Sequence, residues 1–146
     1  MTCTDCTLRI YYSILGKIPF NLKILIVDIA MKLEQLIEDD VFSPTLIARE
    51  LRTRKSELAE ALGLKAEEFT KEHRIRARKT QSLLRELVEI LDRVEKHSCS
   101  ILVAYAWYRS ARLIGFGDTT AEMLVKEGKA SHVRAYLDHV ENGGYA

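Results

Sequence analysis

Between Thr80 and Val94 the apolar residues Leu83, Leu84, Leu87, Val88, Ile90, Leu91 and Val94 recur at helical spacing and form one broad stripe. Arg85, Glu86, Glu89, Asp92 and Arg93 take the other positions, so this segment predicts a central packing helix with a solvated face. The Arg85 to Glu89 and Glu89 to Arg93 spacings are i, i+4 pairs, worth on the order of a few tenths of a kcal/mol each. Upstream, Ser43 is placed to cap a helix with Pro44 in its first turn and Leu46, Ile47 and Leu51 on one face. Ser56 to Leu64 predicts another helix, with Leu58, Ala61 and Leu62 inward, small Ala59 permitting close packing and Gly63 turning the chain. A second short helix is expected through Glu67, Glu68, Phe69 and Glu72, with Phe69 closing a small core; the pair has the helix-turn-helix pattern.

Downstream, Ile101 to Tyr108 is apolar enough to be buried, and Trp107 is expected in the core. Thr119-Thr120-Ala121-Glu122 fits a capping box with Thr119 as the cap and Glu122 reaching back to it, opening a short helix through Val125. Gly128 ends that helix, and Val133, Tyr136, Leu137 and Val140 mark a final one that Gly143 and Gly144 stop, leaving a short arm to Ala146. With Pro19 and Pro44 the only prolines, and no internal repeat, the expectation is an all-α protein. Its architecture is a small helical bundle with a helix-turn-helix-like N-terminal part and a compact helical C-terminal domain. Boundaries are read at 1–40 for an N-terminal extension, 41–108 for the helix-turn-helix-like part and 109–146 for the C-terminal domain. Met31 opens MKLEQLIEDD, so residues 1–30 are expected to be an upstream extension; a native protein whose mass includes them would refute this.

The chain has 146 residues, is 47% hydrophobic and has a net charge of +1, which suits one compact domain or two small ones sharing a core. Charge becomes informative only locally. Residues 52–79 carry nine basic side chains (Arg52, Arg54, Lys55, Lys65, Lys71, Arg74, Arg76, Arg78, Lys79) against five glutamates. Phosphate binding rests on such a local excess, so DNA contact is expected through Arg54, Lys65, Ala66, Thr70, Lys71, Arg74, Arg76 and Arg78. Glu67, Glu68 and Glu72 oppose it by repelling the phosphate backbone, and a merely solvated charged helix is the competing reading.

Cys3, Cys6 and Cys99 make an odd count with no disulfide framework, which points to a reducing cytoplasm. Cys3 and Cys6 form a CxxC, but without a second pair or a nearby histidine it does not amount to a zinc site, and no metal is expected. Arg9, Lys17, Pro19, Asn21, Lys23 and Asp28 interrupt the apolar run Leu8 to Ala30, which predicts neither a membrane span nor a signal peptide. Gly115-Phe116-Gly117 lacks the third glycine and preceding strand of a dinucleotide loop, and His73, His97, His132 and His139 are scattered. No catalysis and no cofactor are expected.

Gly115-Phe116-Gly117, Thr119, Glu122-Met123-Leu124-Val125, Gly128, Val133, Tyr136-Leu137 and the closing Gly143-Gly144-Tyr145-Ala146, approached through Ala104 to Ser110, together resemble the toxin-binding domain of the Xre/MbcA/ParS antitoxin family. The resemblance covers roughly the last three quarters of the chain and omits the first forty residues. It implies an antitoxin of a type II toxin-antitoxin system that silences a toxin encoded beside it, often a RES-domain toxin that degrades NAD. It also implies that the C-terminal domain occludes the toxin's active-site cleft, while the N-terminal part, with the toxin, represses their shared promoter. The toxin contacts so implied are the turn Gly115, Phe116, Gly117 and Thr119, the helix through Glu122 and Val125, and the tail Asn142, Gly143, Gly144, Tyr145 and Ala146. Arg109 and Arg112 flank the turn and can pair with toxin carboxylates, whereas Gly128 and Leu137 are structural. Partners are thus a cognate toxin and operator DNA, with a homodimer expected and no membrane. The alternatives are a stand-alone helix-turn-helix transcriptional regulator without a toxin partner, and an assembly module that binds no DNA.

Overall fold

The structure, a computed structural model, describes residues 36–38, 40–98 and 100–143. The expectations for Cys3, Cys6, Cys99, most of the N-terminal extension, and Gly144, Tyr145 and Ala146 fall outside those residues. Two very short antiparallel strands, β1 (Ile37–Glu38) and β2 (Val41–Phe42), pair Ile37 with Phe42 and Glu38 with Val41. Strands of two residues are too short to register as alternation, so the sequence pattern missed them.

Seven α-helices and one 3-10 helix follow among the described residues: α1 (Pro44–Glu50), α2 (Lys55–Ala61), the 3-10 turn (Ala66–Phe69), α3 (Glu72–Ile75), α4 (Arg78–Ser98), α5 (Ile101–Ser110), α6 (Ala121–Lys126) and α7 (Ala130–Glu141). The chain is therefore mostly helical, as its pattern implied. Ser43 takes the cap position of α1 with Pro44 behind it, but its side chain makes no capping bond. At the start of α2 the work falls to Glu57, whose carboxylate accepts from the Thr53 hydroxyl at 2.7 Å and the Arg54 amide at 3.1 Å. Leu58, Ala59, Ala61 and Leu62 then face inward, and Gly63 turns the chain in the left-handed region at φ +68°.

The single helix expected through Glu67 to Glu72 does not form. Ala66–Phe69 is a 3-10 turn that the Thr70 hydroxyl closes by donating to the Glu67 carbonyl, and Lys71 is extended before α3 begins. Burial of Phe69 to 2% exposure fixes this tight turn against α2.

Helix α4 runs 21 residues, longer than its apolar stripe, and packs along α5 and against α7. Leu84, Leu87 and Ile90 are fully buried in this core, which extends over both of the segments that the sequence divided near residue 108. Arg93 does not pair with Glu89. Its guanidinium crosses to α7, donating to Asp138 at 2.6 Å and to both oxygens of Glu141 at 2.8 and 3.0 Å. Trp107 is only half-buried, and Tyr108 is the core aromatic, because one helical residue further round α5 faces α2 instead of solvent. The Gln81 side chain behaves as a missing strand: it accepts from the Phe42 amide at 2.8 Å and donates to the carbonyls of Phe42 and Ile75. That ties β2 and the end of α3 to α4.

Candidate functional site

Two surfaces gather the residues singled out by the sequence. The first begins where α5 ends. Arg112 and Thr120 form an isolated antiparallel bridge, and the Leu113 amide donates to the Thr119 carbonyl at 2.9 Å, so 112–120 is a tight hairpin. Gly115, Gly117 and Asp118 all adopt positive φ within it, a run that side chains other than glycine, asparagine or aspartate resist. Leu113 is fully buried and anchors the hairpin, which turns Ile114 outward to 70% exposure.

Phe116 is half-buried, its ring 5.5 Å from His132 and edge-on to Tyr136 at 6.4 Å, so the tip of the turn leans on α7. The cap of α6 is Thr120, whose hydroxyl accepts from the Met123 amide at 3.3 Å, and not Thr119. Thr119 instead directs its hydroxyl to the Met123 sulfur at 3.8 Å, one residue out of register with the expected box. Met123 itself is 51% exposed.

Glu122 does not return to the cap. It is buried at 8% exposure and accepts from Arg109 Nε at 3.1 Å and Lys126 Nζ at 2.6 Å. Arg109 also lies over the Tyr105 ring at 5.9 Å, and both Glu122 and Arg109 are therefore engaged within the fold. Arg112 holds Asp118 across the hairpin at 3.2 Å, with both groups exposed. Asn142 turns its side-chain amide back to the Asp138 carbonyl at 2.6 Å, and Gly143 leaves α7 at φ +85°. Of the residues expected to meet a toxin, the structure thus brings Gly115, Phe116, Gly117 and Thr119 together on one hairpin. Ile114, which the sequence reading did not single out, and Met123, which it named only within Glu122 to Val125, supply the exposed apolar surface there; an apolar residue beside a glycine turn was the available signal for Ile114.

The second surface is the basic segment. Arg54 lies at the start of α2, Lys65 precedes the 3-10 turn, Ala66 and Thr70 bound that turn, and Lys71 precedes α3. All five are exposed. Arg74 lies 3.7 Å from Glu68, and Arg76 pairs with Glu72. Lys65, Lys71, Arg78 and Lys79 are exposed and make no ion pair within 4 Å among the described residues, whereas the acids that threatened to repel DNA are partly neutralised by Arg74 and Arg76.

Among the described residues no three of His, Cys, Asp or Glu are grouped to hold a metal ion, and no helix is long and apolar enough to cross a membrane. No family model, no curated protein and no solved structure matches the chain.

Proposed function

We propose that this chain is an antitoxin of a type II toxin-antitoxin system, binding a cognate toxin of the RES-like, NAD-consuming kind and covering its active-site cleft. The observation that carries the reading is the hairpin with Ile114 and Met123: large apolar side chains held outward by a rigid turn, beside residues that carry the family resemblance. Exposed apolar groups of this kind on a fixed scaffold are suited to a protein partner. Glu122, Arg109 and Arg112 act in this reading by holding the hairpin and α6 in place, and the tail from Asn142 to Ala146 supplies a second contact.

The test expresses the product of the neighbouring open reading frame in bacteria, alone and with this chain, following growth and cellular NAD. Rescue of both is expected, and Ile114→Glu together with Met123→Glu should abolish rescue while leaving the helical circular dichroism unchanged. Toxicity that the chain does not relieve would overturn the antitoxin reading.

One observation favours a second reading. Lys65, Lys71, Arg78 and Lys79, exposed and without an ion pair among the described residues, suit phosphate contact, which serves promoter autoregulation by the antitoxin or, without a toxin, a stand-alone helix-turn-helix regulator. Salt-sensitive promoter binding by the chain alone, with no toxic neighbour, selects the regulator.

A further inference from the structure

Helix α6 buries Ala121, Leu124 and Val125, which leaves Met123 on its outer side at 51% exposure. The thioether therefore lies outside the core, on the apolar surface to which Ile114 contributes. Its sulfur has a partner: the Thr119 hydroxyl points at it from 3.8 Å, across the cap of the helix. Backbone bonds fix that donor, since the Thr119 carbonyl accepts from the Leu113 amide at 2.9 Å and the neighbouring Thr120 caps α6. A thioether is only a weak acceptor. The acceptor that this donor suits better is an oxygen carried on the same sulfur.

We propose that Met123 is a reversible oxidation site, taking one oxygen atom from a hydroperoxide to become the sulfoxide, with the Thr119 hydroxyl as the donor that holds that oxygen. A sulfur lone pair attacks one peroxide oxygen, and the S–O bond forms as the O–O bond breaks. With hydrogen peroxide, the departing hydroxide takes the proton of the transferred oxygen and leaves as water. The sulfur loses two electrons and the peroxide gains them. Because the end of the side chain is exposed, it can turn the new oxygen toward Thr119 without disturbing Ala121, Leu124 or Val125. The fold is kept and the outer surface changes, since a flexible apolar group becomes a polar one that sulfoxide reductases convert back. The consequence for a partner rests on the antitoxin reading: oxidation removes one of the two large apolar contacts of the hairpin and loosens the complex, and reduction restores it.

The experiment treats the full chain with hydrogen peroxide, removes the peroxide, returns Cys3, Cys6 and Cys99 to thiols with dithiothreitol, and maps the added oxygen by peptide mass spectrometry. Met123 should be oxidised at a rate comparable with that of N-acetylmethionine amide in the same solution. The thermal midpoint should change more favourably on oxidation in the wild-type chain than in Thr119→Val, and the effects of Met1 and Met31, which both proteins share, cancel in that comparison. Protection of Met123 while the reference is oxidised, or an equal change of midpoint in the two proteins, would overturn the proposal. In a second arm the treated chain is mixed with the untreated product of the neighbouring open reading frame. Oxidation should weaken binding by about tenfold or more, since a polar sulfoxide then enters an apolar contact. Methionine sulfoxide reductase should restore the affinity, and Met123→Leu, compared with itself before and after treatment, should show no change. Equal binding by the reduced and oxidised chains overturns the switch and leaves the antitoxin reading standing. A reduced chain that does not bind that product counts against the antitoxin reading, and the first arm still decides the oxidation site.

Discussion

Tyr108 carries much of the connection between the two ends of the described chain. Its ring is fully buried and its hydroxyl donates to the Ala61 carbonyl at 3.1 Å, at the end of α2. Burial first, and the charge of Glu122 next, push its ionisation well above the ordinary tyrosine range, and burial does the same to neighbouring Tyr105. A raised folded-state value means that stability is fully present below the unfolded value of 10.0 and is lost as pH rises past it. Urea unfolding followed from neutral to alkaline pH should therefore show a falling midpoint. Tyr108→Phe should lower stability at neutral pH by about 1–2 kcal/mol, through the unpaired carbonyl, and flatten the alkaline decline, with Tyr105 preserving part of the slope. Equal slopes in the two proteins would contradict this. Glu122 teaches a related lesson: its i, i+3 relation to Thr119 suggested a cap, yet Arg109, thirteen positions away, and Lys126 claim it. Only the tertiary approach of α5 to α6 brings Arg109 there, and no local pattern encodes that approach.

At the scale of elements, α4 and α7 are joined by Arg93 as well as by apolar packing. Arg93 holds the Glu141 carboxyl below its ordinary range by direct hydrogen bonding. A depressed carboxylate contributes stability that is present above its unfolded value of 4.5 and lost as pH falls through the lower folded value. Arg93→Ala should thus lower the thermal midpoint at neutral pH modestly, because the ion pairs it removes are multiply bonded but partly exposed. The same variant should lose less on acidification than the wild-type chain, and a parallel acid decline in both would refute the clamp. The helices themselves were legible: the apolar spacing of α4 and of α7 located both, because a 3.6-residue repeat over three or more turns has few alternatives. The second short helix expected through Glu67 to Glu72 failed because its span holds few apolar positions. There the burial of Phe69 and the backbone bond of Thr70 outweighed helical propensity and left two short turns.

At the scale of the molecule, the described residues present a basic segment and an apolar hairpin on one core. If the basic segment meets DNA, Lys71→Glu with Arg78→Glu should weaken promoter binding and reduce the dependence of log affinity on log salt by about 1 per lost phosphate contact. The same reversals made at Arg74 and Arg76, which already have carboxylate partners, should act less. Promoter binding unchanged by Lys71→Glu and Arg78→Glu would favour the assembly module that binds no DNA. The sequence by itself determined the helical class, the buried faces and the turn at Gly115 to Asp118, because periodicity and glycine chemistry are properties of neighbouring residues. Which charged groups remain available was decided only by tertiary structure. Arg93, Arg109 and Glu122 look like surface charges in the chain, and they pair because packing carries together residues that are distant in sequence. Trp107 and Val103 look like core, and the same packing leaves them at the surface because the helices that meet around α5 cover only its opposite side.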